Sequence, residues 1–530
     1  MTARQFLLCA ALAGLAAPAA ALDARCPQFP EDPKAEAPVE PHWLTLDWPR
    51  TIEACVPTLQ HDRGKRRPLV LWEGGDAGTF SERTAKMLLE RGLVPAVRLD
   101  PEMIPLALQL QKAGAPVILL DAKSGSWPYD LVGDPAKWAL SFGTNVQVQE
   151  GWRRLPVPGR LEGWALAAQR MREVLRQFQE AGVRVDAVWF DYETAPASVP
   201  FEAARASKEA GKEIPARALT SNEAFHRYRW QLWLQILSTY VAAPVREVYP
   251  AASVTNWMVM LSTLETPVTG WDNRPLPPSG LTLFSATNPV AYGVDSAVVA
   301  LWEKEQVPAD PAAVDRAYVA LLLRQVSQDG LNRQRIAPHL DSVVWVSRDV
   351  HQQPERKAPP MSRAAYREAL RHLWLRGVDA MEVYNGQRPG RLAAVLAEVQ
   401  DAATVFDELL KYRDFLEQGE PIGFALPPVQ EAAPVWSGLR LAESAVVRVA
   451  WLGEGEGSAE IEAWPGFKIV LPATRAGTTY LLKLNREAGR LEIVSSDPPP
   501  PKDESAAPEG RKPEGKKKNG EGKPVEKREG

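Results

Sequence analysis

Residues 183–193 read Val-Arg-Val-Asp-Ala-Val-Trp-Phe-Asp-Tyr-Glu, an apolar run that ends in two carboxylates, Asp191 and Glu193. The run has the length and the β-branched and aromatic content of a buried strand. Side chains of a strand alternate between its two sides, so Asp191 and Glu193 are predicted to point to the same side. The sequence therefore places a pair of acids where one predicted strand ends.

Seven similar runs recur along the chain, and amphipathic stretches separate most of them. The predicted strands are 68–72, 93–99, 116–120, 183–190, 252–256, 281–284, 342–346 and 379–383, and the predicted helices are 81–91, 103–113, 161–181, 222–247, 311–328 and 362–376. Such alternation is typical of a parallel sheet covered by helices, and eight units predict a (β/α)8 TIM barrel over 61–424. The competing fold is a doubly wound open sheet. Its usual glycine-rich phosphate turn fits poorly here, because residues 73–78 carry two acids.

The segments before and after the predicted barrel differ from it in composition. Residues 1–21 have the charged start, apolar stretch and small residues of a signal peptide, and 22–60 form an N-terminal arm, so a secreted or periplasmic protein is expected. Short alternating runs in 425–497 predict a small β-sandwich, whereas the charged Pro/Lys/Glu-rich tail 498–530 is expected to be disordered. In an oxidising compartment, Cys26 and Cys55 are predicted to form a disulfide.

Composition narrows the classes of function. The chain has 530 residues and a net charge of −4, with no basic patch that would indicate a nucleic-acid partner. No later stretch is long and apolar enough for a membrane helix. The six His residues are scattered without a metal-binding spacing, so no metal and no cofactor are expected, whereas 18 Trp residues favour sugar stacking. The oligomeric state stays open.

Two acids at a barrel strand end suit cleavage of a glycosidic bond. Glu193 is the candidate general acid, and Asp191 is its partner. Acids this close on one strand fit substrate-assisted cleavage, in which the acetamido oxygen of an N-acetylhexosamine attacks. Glu73 or Asp121, at the ends of the first and third strands, is the alternative second carboxylate. Glu382 lies within the eighth predicted strand, and the sequence leaves open which face it takes.

The segment Phe190-Asp191-Tyr192-Glu193 resembles the Asp-aromatic-Glu motif that ends the fourth strand of hyaluronidase-type barrels, and more distantly the Asp-x-Glu of chitinase-like barrels. A long helix and an aromatic strand follow the motif in the same order. The resemblance implies that Glu193 donates the proton and that Asp191 positions the acetamido group.

Other candidates for substrate contact are aromatic and amide side chains near the predicted strand ends. They are Tyr192, Trp72, Trp257, Tyr292, Trp345, Tyr384, Asn256, Asn288 and Asn385, together with the acids Glu73 and Asp121. Rings offer a flat apolar surface to a sugar, and amides can bond its hydroxyls. The sequence thus predicts a glycoside hydrolase acting on a polysaccharide or glycan. The alternative is a non-catalytic carbohydrate-binding barrel of the cell envelope.

Overall fold

The structure, a computed structural model, describes an α/β region followed by a β region. The described residues are 48–73, 77–121, 144–147, 154–156, 162–192, 201–206, 214–263, 265–266, 284–294, 297–301, 311–348, 358–384 and 392–497. The predicted signal peptide, the predicted tail and most of the predicted arm therefore lie outside them.

The α/β region contains strands β1 to β12, most of them short and fully buried. They are β1 Leu69–Leu71, β2 Leu93–Pro95, β3 Val97–Arg98, β4 Ile118–Asp121, β5 Thr144–Gln147, β6 Arg154–Pro156, β7 Ala187–Phe190, β8 Ser253–Asn256, β9 Ala286–Thr287, β10 Val290–Tyr292, β11 Asp341–Ser347 and β12 Ala380–Val383. Burial on both faces explains why these segments are continuously apolar, as is usual in parallel sheets.

Parallel pairing joins these strands in two runs. One run has the order β10-β11-β12-β1-β2, with β9 also paired to β11, and the other has the order β3-β4-β7-β8. Only Ala96 separates β2 from β3. Between β8 and β9, the Ser285 N–H donates to the Val254 carbonyl oxygen at 3.2 Å. The antiparallel hairpin of β5 and β6 stands apart from both runs.

The sixth predicted strand, 281–284, lies outside the described residues except for Phe284. Shortly after it, the structure has strands at Ala286–Thr287 and Val290–Tyr292. This segment contains buried polar residues whose hydrogen-bond partners come from distant parts of the chain. Thr287 Oγ1 donates to Asp329 Oδ2 at 2.6 Å, and Asn288 Nδ2 donates to the Val343 carbonyl oxygen at 3.0 Å. No local hydrophobic pattern reveals such a strand.

The helices follow the predicted order. They are Trp48–Cys55, Glu82–Leu89, Ile104–Lys112, Glu162–Glu180, Phe201–Ala206, Asn222–Ile236, Ala243–Val248, Pro311–Ile336, Arg363–Trp374, Leu392–Leu410 and Arg413–Gln418. Gly182 and Gly377 lie just after two of these helices, and their φ values of 81° and 78° belong to a conformation that other residues rarely adopt. A Cβ at residue 377 would also lie 2.7 Å from Pro421 Cγ.

The β region is antiparallel. One sheet has the order β13-β14-β15-β18-β19, and a hairpin of β16 and β17 packs with it around a second apolar core. The strands are β13 Glu420–Ile422, β14 Ala433–Leu441, β15 Ser444–Leu452, β16 Gly457–Trp464, β17 Phe467–Ala473, β18 Thr478–Asn485 and β19 Arg490–Asp497. The alternating burial of β16 and β17 is the period-two pattern that predicted strands here.

The described chain begins with the helix Trp48–Cys55, which lies within the predicted N-terminal arm. Trp48 and Ile52 are buried in the main core. Cys55, the last residue of this helix, is disulfide-bonded, and its predicted partner Cys26 lies outside the described residues. Within the described part of the chain, no helix combines the length and the apolarity needed to cross a bilayer.

Candidate functional site

The corner after β7 is held by a set of backbone and amide hydrogen bonds. The Asp191 N–H donates to the Asp121 carbonyl oxygen at 3.0 Å, which continues the pairing of β4 with β7 by one residue. The Tyr192 N–H donates to Asn256 Oδ1 at 3.1 Å, and Asn256 Nδ2 donates to the Trp257 carbonyl oxygen at 2.9 Å. Asn256 thereby fixes the residue that follows Asp191.

Tyr192 connects this corner to the end of β4. Its hydroxyl donates to Asp121 Oδ2 at 2.7 Å, and both residues are buried. Burial raises the pKa of Tyr192 well above its usual range, and the charge of Asp121 together with this hydrogen bond adds to the shift. The hydroxyl therefore stays protonated and remains a donor to the carboxylate. This hydrogen bond fixes the positions of both the Tyr192 ring and the Asp121 carboxylate.

Replacing Tyr192 by Phe should lower the free energy of unfolding by about 1.5–3 kcal/mol, since a buried carboxylate loses a hydrogen-bond donor. Chemical denaturation followed by Trp fluorescence measures the change. Tyr249→Phe is a matched control, because Tyr249 donates to a neutral acceptor, the Val183 carbonyl oxygen, at 3.1 Å. The control should lose only about 0.5–1.5 kcal/mol. Equal losses in the two variants would contradict a charge-assisted bond at Tyr192.

Four of the six predicted aromatic contacts come together at the ends of β1, β10, β11 and β12. The ring centroids of Trp72 and Trp345 lie 5.3 Å apart, those of Trp72 and Tyr384 lie 5.4 Å apart, and those of Tyr292 and Tyr384 lie 5.8 Å apart. We call these four residues the aromatic cluster. Trp72 and Tyr384 are half-buried and Trp345 is buried beneath them, so two rings offer a surface to a ligand while a third supports them.

Glu382 is a buried acid in β12. It is in register with Val70 of β1 and with Trp345 of β11. Residues paired in this way point to the same side, so Glu382 shares the side of Trp345 in the aromatic cluster. It has no exposed surface, and neither carboxyl oxygen has a hydrogen-bond partner among the described residues. Burial raises the pKa of Glu382 well above its usual range, and the charge of Asp191 raises it further.

The amide side chains of Asn256 and Asn288 bond backbone groups, and Asn288 Oδ1 accepts from the Met258 N–H at 3.3 Å. Trp257 lies directly after β8 and is half-buried, and its backbone N–H donates to the Phe190 carbonyl oxygen at 2.8 Å. Met258 has a φ of 56°, one of two non-glycine residues with positive φ among the described residues. A strained residue directly after β8 is typical of a site whose surroundings impose its conformation.

Three further candidates are Glu73, Glu193 and Asn385. Glu73 is exposed after β1. Glu193 and Asn385 lie outside the described residues, so their roles remain predictions. Nothing in the described part of the chain brings together three or more His, Cys, Asp or Glu side chains that could hold a metal ion.

One buried acid near the site was not among the residues predicted from the sequence. Glu398 Oε2 accepts from the Ser347 hydroxyl at 3.1 Å and from the Arg348 N–H at 2.8 Å, which fixes the end of β11. Glu398 lies in the helix Leu392–Leu410, whose residues are mostly buried. Acids are rarely fully buried unless they are paired, so an acid at a buried helix position is the feature that could have identified Glu398 as a structural hydrogen-bond acceptor.

Comparison with known proteins gives structural likenesses only. No family model matches the chain, and no curated protein matches it. Solved structures that resemble it include α-L-fucosidase isoenzyme 2 from Paenibacillus thiaminolyticus, with a TM-score of 0.38, 11% identity and coverage of 68% of this chain and 51% of that one. A debranching enzyme from Nostoc punctiforme has a TM-score of 0.37 and 12% identity, with coverage of 73% and 79%. A GH30 endoxylanase from Clostridium papyrosolvens C71 has a TM-score of 0.36 and 12% identity, with coverage of 81% and 98%.

This chain thus spans about half the length of the fucosidase. The names of all three structures denote enzymes that act on carbohydrates, and neither a hyaluronidase nor a chitinase is among them. At these TM-scores the likenesses establish nothing about individual residues, so the arrangement of the site itself has to support any proposal.

Proposed function

We propose that the chain is a glycoside hydrolase that acts on a polysaccharide or glycan after export from the cytoplasm. One observation carries the proposal: the aromatic cluster and Asp191 lie at the carboxyl ends of parallel strands, and the buried Glu382 is in register with Trp345 of that cluster. Rings that can stack on a sugar beside carboxyl groups that can handle protons and positive charge are the two requirements of glycosidic cleavage.

The proposed fold is a (β/α)8 barrel. Its support is the circuit of pairings, in which β12 pairs with β1, β3 with β4, β4 with β7, and β7 with β8. The hydrogen bond from Ser285, the residue before β9, to Val254 of β8 and the pairing of β9 with β11 support closure of this circuit. Active sites of such barrels lie at the carboxyl ends of the strands, where Asp191 and the aromatic cluster are found.

In the proposed mechanism Glu193 protonates the leaving oxygen as the bond to the anomeric carbon breaks. The acetamido oxygen of the same sugar attacks that carbon, and Asp191 orients the acetamido group and offsets its developing positive charge. Water then opens the cyclic intermediate and restores the proton to Glu193. Asp191 is buried and sits on a corner fixed by Asn256, which suits a positioning role.

The test is incubation of the purified mature protein with a panel of polysaccharides, including some that contain N-acetylhexosamine and some that lack it. Release of reducing ends from the N-acetylhexosamine polymers is the expected result. Release only from polymers without an acetamido group would contradict the substrate-assisted mechanism but not hydrolysis. Glycan binding without product would replace the proposal with a non-catalytic carbohydrate-binding barrel.

A further inference from the structure

Asp329 is a fully buried acid on the helix Pro311–Ile336 that the proposed mechanism does not use. Its Oδ1 accepts from the Leu261 N–H at 2.9 Å, and its Oδ2 accepts from the Thr287 hydroxyl at 2.6 Å. Arg333 Nε, one helical turn further along, lies 3.4 Å from Oδ2 and offsets the negative charge. The Asp329 carboxylate therefore joins two segments, the one that follows β8 and the one that contains β9.

Asn288, the residue directly after β9, extends this connection to the end of β8. Its backbone N–H donates to the Val259 carbonyl oxygen at 2.7 Å, and its Oδ1 accepts from the Met258 N–H at 3.3 Å. The φ of 56° at Met258 is unfavourable for a residue with a side chain, so bonds from outside the turn are needed to maintain it. Asn288 supplies two such bonds from the segment that Asp329 holds.

The turn after β8 orients the side chain of Asn256. Asn256 Nδ2 donates to the Trp257 carbonyl oxygen at 2.9 Å. With Nδ2 held there, Oδ1 of the same amide accepts from the Tyr192 N–H at 3.1 Å. Hydrogen bonds and short stretches of backbone therefore connect Asp329 to the residue that follows Asp191.

We propose that Asp329 is a positioning residue for the candidate site. By holding the segments on both sides of the turn after β8, it keeps the Asn256 amide in the orientation that binds Tyr192, and with it the backbone of Asp191. Asp329 acts through Asn256 and not by contact with a substrate. Its effect on catalysis rests on the proposed function, whereas its effect on the corner after β7 does not.

Asp315 provides a matched control, because it lies on the same helix and makes the same two kinds of hydrogen bond. Its Oδ1 accepts from the Ser362 N–H at 2.9 Å, and its Oδ2 accepts from the Ser362 hydroxyl at 2.6 Å. These bonds hold the residue before the helix Arg363–Trp374. General loosening of the helix Pro311–Ile336 would affect both ends of it, whereas the proposed positioning depends on Asp329 alone.

Hydrogen exchange of the full chain, measured by mass spectrometry on its peptides, tests the positioning without a substrate. In Asp329→Asn, the peptide that contains Tyr192 should exchange about tenfold faster, the effect of losing one hydrogen bond of ordinary strength. Asp315→Asn should leave that peptide unchanged and accelerate the one that contains Ser362. If Asp329→Asn does not fold, Thr287→Val tests the same connection, since it removes one donor and keeps the carboxylate. Unchanged exchange at Tyr192, or equal acceleration there by Asp315→Asn, would overturn the proposal.

Kinetics on the N-acetylhexosamine polymers tests the catalytic consequence. Asp329→Asn should lower kcat about 10–100-fold and change KM by less than about threefold, because a misplaced Asp191 weakens binding of the transition state more than binding of the substrate. Asp315→Asn should keep the wild-type kcat. A wild-type kcat in Asp329→Asn would overturn the positioning role. If the wild type hydrolyses no glycan, the proposed function fails, whereas hydrogen exchange still decides whether Asp329 holds the corner.

Discussion

Glu193→Gln is expected to hydrolyse the best polysaccharide substrate at least a hundredfold more slowly than the wild type. Gln has almost the same shape as Glu but cannot give a proton to the leaving oxygen, and general acid catalysis contributes about 10²–10⁴ in rate. The loss should appear mainly in kcat, because the proton is transferred in the transition state rather than in substrate binding. Initial rates of reducing-end release over a range of substrate concentrations measure both constants.

The control for this result is Glu180→Gln, since Glu180 is an exposed acid at the end of the helix that precedes β7. It should have wild-type activity. Asp191→Asn should also be strongly impaired, and more so on substrates with an acetamido group than on activated analogues without one. Wild-type kcat in Glu193→Gln, with the fold intact, would remove this residue from the mechanism and direct attention to Asp191 and Glu382.

Arg448→Met should lower the free energy of unfolding by about 3–5 kcal/mol, because it leaves a buried carboxylate without its main partner. Arg448 Nε and Nη2 donate to the two oxygens of Glu368 at 2.8 and 2.6 Å, and the pair joins β15 of the β region to the helix Arg363–Trp374 of the α/β region. His372 Nε2 lies 3.2 Å from the same carboxylate. Denaturation with urea, followed by Trp fluorescence, measures the loss.

The pH dependence of this loss identifies its cause. Burial alone would raise the pKa of Glu368, but the attraction of Arg448 and of His372 outweighs it and lowers the pKa well below the usual range. A lowered pKa gives stability that is present above the unfolded-state pKa of about 4.3 and lost as the pH falls through the folded-state value. The deficit of Arg448→Met should therefore be largest near neutral pH and shrink in acid.

Two further variants separate the ion pair from general effects of removing an arginine. Arg486→Met removes an exposed partner of Glu443 and should change the free energy of unfolding by less than about 1 kcal/mol. The double variant Glu368→Gln with Arg448→Met should be more stable than Arg448→Met alone, because no buried charge is left unpaired. A deficit in Arg448→Met that is the same at every pH would argue for lost packing instead of lost charge pairing.

Several features of the site were accessible from the sequence because they are local. The position of Asp191 follows from an apolar run and the two-residue repeat of a strand, and both are visible in a few consecutive residues. Trp72, Tyr292, Trp345 and Tyr384 were predicted individually, since each lies near a strand end. Parallel strands bring their carboxyl ends to one edge, which is why these separate predictions converged on one cluster.

Local patterns were sufficient to predict an α/β region, in which strands alternate with helices, and a β region after it. They also placed the corner that carries Asp191, because hydrophobic periodicity is a short-range property of the chain. Tertiary contacts, in contrast, set the bond between Tyr192 and Asp121 and the burial of Glu382 without a hydrogen-bond partner among the described residues. These depend on which distant strands become neighbours, and on the burial that results, and neither is encoded in a local pattern.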